Sequence, residues 1–144
     1  MIQLFSALAM LASGIYTGAA WYLAFVELPS LKTLPVQVAR AHWAETVGRT
    51  PRYAASALVA ASAALIVGRA SPGSPWTWGA MAIFFVLPFT VAAVLPVQRR
   101  LLTPEGLFMW ERHIDYWGKL HIVRVALGLA AMILFLGQML RLPS

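Results

Sequence analysis

Four long apolar stretches, separated by short polar connections, constrain the fold of this 144-residue chain more than any other feature. Hydrophobic residues make up 60% of the sequence and charged residues only 11%, whereas about a quarter of residues are charged in soluble domains. An apolar helix of roughly 20 residues is long enough to cross the hydrocarbon core of a bilayer. The pattern therefore predicts an all-α, integral membrane four-helix bundle that forms one domain, residues 1–144. The predicted spans cover about residues 4–28, 51–67, 76–95 and 117–140.

Prolines and glycines add detail to these spans. Pro29 is expected to end the first span, and Pro88 is expected to kink the third. Gly14 and Gly18 are four residues apart in the first span, a spacing that favours close helix packing in lipid.

The connection between the first two spans contains an amphipathic segment, VQVARAHWAETV. Val36, Ala39, Trp43 and Val47 recur at helical spacing and form an apolar stripe, which Arg40 flanks. This pattern predicts a short amphipathic helix that lies in the membrane interface between spans 1 and 2. Trp43 is expected at headgroup depth, and Arg40 is expected to extend towards the lipid phosphates.

Basic residues are distributed unevenly between the two sides of the predicted bundle. Nine of the eleven Lys and Arg residues fall on the side of the first and third connections, and this excess marks the cytoplasmic side. We therefore predict a multi-pass protein of the cell membrane, with both termini outside and both long loops in the cytoplasm. The nine are Lys32, Arg40, Arg49, Arg52, Arg99, Arg100, Arg112, Lys119 and Arg124.

The net charge of +6 raises the question of nucleic-acid binding. The basic residues flank apolar spans and do not form a soluble basic face, so the predicted partner is the lipid bilayer and not a nucleic acid. The bundle is also compatible with a homo-oligomer. Cysteine is absent, which excludes disulfides, thiolate catalysis and Cys-ligated metals. All five carboxylates and all three histidines lie on the predicted cytoplasmic side, so any site is expected in that half of the bundle.

The strongest candidate site lies at the start of the fourth span. Trp117, His121 and Arg124 are spaced i, i+4 and i+7, which places them on one face of a helix. Ionisable residues inside an apolar span are functional candidates. His121 would act as the base that moves a proton, Arg124 would stabilise an oxyanion, and Trp117 would form a wall for a planar substrate. The alternative is an interfacial anchor, with Trp117 at the headgroups and Arg124 reaching outward.

Gln98, Glu27 and His42 are further polar candidates on this side, and the first two have two readings each. Gln98 either caps carbonyls freed by Pro96 or faces the site, and Glu27 either marks the end of span 1 or faces the site. His42 lies three residues before Glu45, on neighbouring positions of the amphipathic helix.

A metal site is the rival reading of these same residues. Glu27, His42, Glu45 and His121 could converge in a bundle, but no strong ligand motif such as H-E-x-x-H is present, and no metal is predicted. A transporter is disfavoured, because no ionisable residue lies near the centre of a span.

The chain resembles the small four-span membrane proteins grouped with anthrone oxygenases. The resemblance rests on FVELPSL at the end of span 1, LPVQRRL at the end of span 3 and YWGKLHIVR at the start of span 4. The pattern W-x3-H-x2-R in the last segment is the most specific part. Such proteins more often have Asn where this chain has Gln98.

The resemblance implies an oxygen-dependent oxidation of an activated aromatic CH2 or phenol, without a metal or an organic cofactor. Trp110, Tyr116 and Trp117 would then line the substrate pocket. We accordingly predict a cofactor-independent membrane oxygenase of small aromatic, anthrone- or quinol-like molecules. The alternatives are a non-enzymatic membrane protein that binds a lipophilic ligand or partner, and a metal-binding membrane protein.

Overall fold

A computed structural model describes residues 1–69 and 71–141, and its regular structure in these ranges is entirely helical. Four helices are long and apolar enough to cross a membrane, which confirms the predicted all-α membrane bundle. They are α1 (Ile2–Leu31), α2 (Val36–Gly68), α3 (Pro75–Leu102) and α5 (Trp110–Met139). A single turn, α4 (Pro104–Phe108), connects the last two.

The long helices pack in a ring in which each contacts the next and α5 closes against α1. Short connections between consecutive helices make them run up and down in alternation. The C-terminal ends of α1 and α3 therefore meet the N-terminal ends of α2 and α5 at one end of the bundle. This end carries a core rich in large side chains, including Trp43, Trp110 and Trp117, whereas alanines dominate the core of the other half.

Small residues allow close helix contacts at positions other than the predicted ones. A Cβ atom built at Gly14 or Gly18 would meet nothing within 4 Å, so the prediction of close packing there is wrong. Helix α1 instead packs through a face that includes Tyr16 and Thr17. Gly128 of α5 lies against Thr17, where an added Cβ would come within 2.5 Å of the hydroxyl oxygen.

Helices α1 and α3 each contain one turn that is widened to the π form, Leu23–Glu27 and Thr90–Val94. Each widened turn is followed by Leu-Pro, ending at Pro29 and Pro96. A proline ring clashes with the carbonyl four residues earlier, and in both helices that carbonyl belongs to the widened turn. The extra width relieves the clash, so α1 continues past Pro29 and does not end there as predicted.

Helix α2 is continuous from Val36 to Gly68 and includes Pro51. The predicted amphipathic segment is helical, but it is the first part of α2 and not a separate helix. Its apolar stripe faces protein: Trp43 is only 1% exposed and packs against Trp110 and Trp117 of α5. Arg40 donates to the carbonyls of Leu101, Leu102 and Thr103 at 3.0, 2.6 and 2.9 Å, and thereby caps the C-terminal end of α3.

Candidate functional site

Arg124 is the centre of a buried polar cluster inside the bundle. Its side chain is 1% exposed, and its Nε donates a hydrogen bond of 3.0 Å to the hydroxyl of Tyr16 on α1. The guanidinium carbon lies 5.8 Å from the ring centre of Tyr16 and 5.9 Å from that of Tyr53 on α2. Both distances allow a cation–π interaction. Arg124 therefore points into the protein and not outward as an interfacial anchor.

His121 lies one turn before Arg124 on α5 and is fully buried. Its Nδ1 is 3.5 Å from Nη1 of Arg124, at the long limit of a hydrogen bond. A guanidinium only donates, so Nδ1 carries the lone pair in this arrangement and the ring proton is on Nε2. A weak contact of this length is easily exchanged for one to a ligand.

Three tryptophans build an aromatic wall next to the imidazole. The ring of Trp117 lies 4.4 Å from that of His121, centre to centre, at an interplanar angle of 30°. Trp43 packs edge-on against Trp117 and Trp110, with centre distances of 5.6 and 5.7 Å. Such edge-to-face pairs are favourable for aromatic side chains, and they fix the orientation of Trp117.

The charge of Arg124 is not balanced by a carboxylate within residues 1–69 and 71–141, where the ion pairs of carboxylates involve Lys32, His42 and Arg49. Burial of a cation without a counter-charge is unfavourable. Several polar atoms around it are also buried without a hydrogen-bond partner in the same ranges. They include the hydroxyl of Tyr53, Nε1 of Trp117 and Nε2 of His121. The cluster thus holds one positive charge and unused donors.

This arrangement can stabilise a negative charge and accept a proton in the same place. A group with an acidic C–H or O–H next to a carbonyl could contact Nδ1 of His121 and the guanidinium together. The low-polarity surroundings strengthen the attraction between the guanidinium and a negative charge relative to water.

The second-rank candidates Glu27 and His42 lie together at the end of α1 and the start of α2. Thr46 donates to Oε1 of Glu27 at 2.5 Å, and Nε2 of His42 is 3.6 Å from the same oxygen. The side chain of Glu27 is 12% exposed and that of His42 is 57% exposed. The two residues form a polar pair near the bundle surface.

The other two candidates are not brought into the cluster. Tyr116 is 53% exposed and lines a surface groove with Arg112 and Lys119. Gln98 is half-buried in the last part of α3, after the widened turn.

The rival metal site is not assembled in the part of the chain that the structure describes. No three His, Asp or Glu side chains in these residues lie close enough to hold a metal ion together. Glu45 pairs with Arg49 on the exposed face of α2, and His121 is buried next to Arg124.

Sequence reasoning missed Tyr16 and Tyr53, and it did not predict that Trp43 lies in the protein core. Tyr16 and Tyr53 are the only large polar residues of the buried faces of α1 and of the second half of α2, both of which are otherwise Ala-rich. A single tyrosine on an otherwise Ala-rich helix face is a sequence signal that could have indicated Tyr16 and Tyr53 as site residues.

Comparison with protein families gives a match over most of the chain. A model of the family described as anthrone oxygenase matches residues 43–134, which include Trp43, Tyr53, Trp117, His121 and Arg124. No curated protein and no solved structure matches the chain.

Proposed function

Since the chain belongs to the anthrone oxygenase family, we propose that it is a membrane oxygenase of small lipophilic aromatic molecules and needs no metal or organic cofactor. The substrate class is an aromatic ring system with an activated CH2 or a phenol next to a carbonyl. The observation that carries the proposal is the buried guanidinium of Arg124, which lies beside the imidazole of His121 and has no carboxylate partner in the described residues.

The roles follow from the two contacts of this pair. His121 takes the proton of the CH2 group, and Arg124 stabilises the negative charge that develops on the neighbouring carbonyl oxygen. The ring of Trp117 supports the flat face of the substrate. The resulting carbanion adds to dioxygen to give a peroxide anion, which takes the proton back from His121 and becomes a hydroperoxide. Loss of water from the peroxide leaves a new carbonyl group, so that one dioxygen is consumed and one water is formed for each CH2 oxidised.

We also propose that the site opens towards the cytoplasm. Four apolar helices make the protein a multi-pass membrane protein. Apart from the buried Arg124, most of the basic residues lie towards the end of the bundle that holds the Glu27–His42 pair, and the positive-inside rule assigns this end to the cytoplasm.

Oxygen uptake tests the proposed reaction. Purified protein in detergent is mixed with 9-anthrone, and oxygen consumption is recorded for the wild type and for His121→Ala. We expect kcat/KM to fall by about 100-fold or more in the variant, because general-base catalysis contributes a factor of this size. His113→Ala is the matched control, since the imidazole of His113 contacts the carbonyl of Met109, directly before α5, at 3.0 Å, and the variant should keep full activity.

Equal rates in the wild type and His121→Ala would contradict the assignment of the base. Uptake no faster than the spontaneous rate, combined with binding of 9-anthrone, would favour the alternative of a binding protein without turnover.

A further inference from the structure

A groove of about 310 Å³ opens between α1 and α2, on the side of the bundle next to the buried cluster. Its lining includes Ala19 and Tyr22 from α1 and Tyr53 from α2. Tyr22 is 54% exposed, so one rim of the groove is at the lipid-facing surface. The volume is within the range of pockets that hold small organic ligands, which begins at roughly 300 Å³.

Tyr53 separates the groove from Arg124. Its ring lines the groove on one side, and on the other it lies 6.1 Å from the ring of Tyr16 and 5.9 Å from the guanidinium carbon of Arg124. The hydroxyl of Tyr53 is buried and has no hydrogen-bond partner among the described residues. Tyr53 therefore contacts the groove and the buried cluster at the same time.

The other end of the groove offers one acceptor and one donor. Glu27 uses Oε1 for its contacts with Thr46 and His42, so Oε2 can accept a further hydrogen bond. Arg49 also lines the groove, and its ion pair with Glu45 is exposed and easily exchanged. Tyr22 and Tyr53 provide aromatic surface in the rest of the groove.

We propose that this groove is a lateral doorway and binding subsite through which a hydroxylated aromatic ketone enters from the bilayer. Glu27 accepts a hydrogen bond from the ligand hydroxyl, Arg49 donates to its carbonyl, and Tyr53 opens the way to Arg124. This proposal rests on the proposed function only for the reaction that follows binding. A ligand can occupy the groove without being turned over. A lipophilic substrate that partitions into the membrane would reach the buried pair without crossing the aqueous loops.

The test uses 4-hydroxybenzophenone, a hydroxylated aromatic ketone that crosslinks to nearby C–H bonds under ultraviolet light. The protein is labelled in lipid vesicles, digested with trypsin and mapped by mass spectrometry. We expect label on α1 between Ala19 and Glu27 and on α2 near Tyr53. Ala19→Phe places a ring in the groove and should lower this label by about tenfold or more, because occupancy below Kd falls in proportion to affinity. Ala7→Phe is the matched control, since Ala7 is exposed on the same helix.

A second comparison does not depend on the folding of a variant. Benzophenone lacks the hydroxyl that Glu27 would bind, so it should label the groove of the wild type about tenfold less, the effect of losing roughly 1.4 kcal/mol.

Equal labelling by the two probes would overturn the proposal. So would label that survives Ala19→Phe, or label concentrated at the separate groove lined by Leu31, Trp110 and Ile114. Labelling of the groove without oxygen uptake would support the proposed binding subsite and contradict the proposed oxygenase. Oxygen uptake without labelling of the groove would support the oxygenase and contradict the binding subsite.

Discussion

At the scale of single residues, the hydroxyl of Tyr16 is the neutral acceptor that makes burial of Arg124 tolerable. Tyr16→Phe removes this acceptor and keeps the ring, so the guanidinium Nε loses a hydrogen bond of 3.0 Å inside the protein. We expect the free energy of unfolding, measured by titration with denaturing detergent, to fall by about 1–3 kcal/mol. Tyr116→Phe is the matched control, because Tyr116 is 53% exposed and its hydroxyl is not needed by a buried charge.

The control variant should stay within about 0.5 kcal/mol of the wild type, as surface substitutions usually do. The interpretation is wrong if the two Tyr→Phe variants are equally stable.

The sequence indicates part of this cluster and not the rest. Helical spacing alone places Trp117, His121 and Arg124 on one face, because they belong to one helix. The contact from Arg124 to Tyr16 spans 108 positions of the chain, and no local pattern reports a contact of that kind. Trp43 shows the same limit, since an apolar stripe fits a lipid interface as well as it fits a protein core.

At the scale of elements, the widened turns place the ends of α1 and α3 around the cluster. Both turns contact α5, and Leu28, directly after the first turn, lies against Gly118 of α5. A π turn adds one residue to a helical turn and rotates the residues that follow. Because Glu27 is the last residue of the first widened turn, this rotation sets the direction of its side chain.

Glycine at position 128 controls the spacing of α1 and α5. An alanine there would place its Cβ 2.5 Å from Oγ1 and 3.3 Å from Cβ of Thr17, next to Tyr16. We expect Gly128→Ala to lower the free energy of unfolding by about 1–3 kcal/mol through overpacking. Gly14→Ala is the matched control, since an added Cβ there meets nothing within 4 Å, and it should be neutral or stabilising by up to about 1 kcal/mol. The same stability for both variants would contradict the assignment of the close contact.

The elements themselves were only partly predictable. Hydropathy identifies four spans because every stretch that crosses lipid must be apolar. The predicted boundaries at prolines were wrong: α1 continues past Pro29, where a widened turn relieves the clash, and α2 begins before Pro51 and continues through it. The spacing of Gly14 and Gly18 predicted a packing face, but which small residues meet a neighbour depends on helix rotation, which the spacing does not determine.

At the scale of the whole molecule, the bundle concentrates its chemistry at one end. The ends of α1 and α3 and the starts of α2 and α5 bring the Glu27–His42 pair and the groove to the same region, and the buried cluster lies deeper in the bundle. This arrangement follows from four spans in up-and-down order, because alternate connections then share one side. The side of the membrane on which these loops lie therefore determines the compartment with which the groove and the cluster exchange protons.

The orientation of the bundle can be measured because the chain contains no cysteine. Single cysteines are introduced at Thr33, in the first connection, and at Ser71, in the second, both of which are exposed. The positive-inside rule predicts that a membrane-impermeant maleimide labels Ser71→Cys in intact cells and labels Thr33→Cys only after permeabilisation. The cysteine-free parent is the control for background. The opposite pattern, or equal labelling of both variants in intact cells, would contradict a cytoplasmic location of the polar end. It would also mean that the site exchanges protons with the outer side of the membrane, but it would not contradict the four-helix architecture.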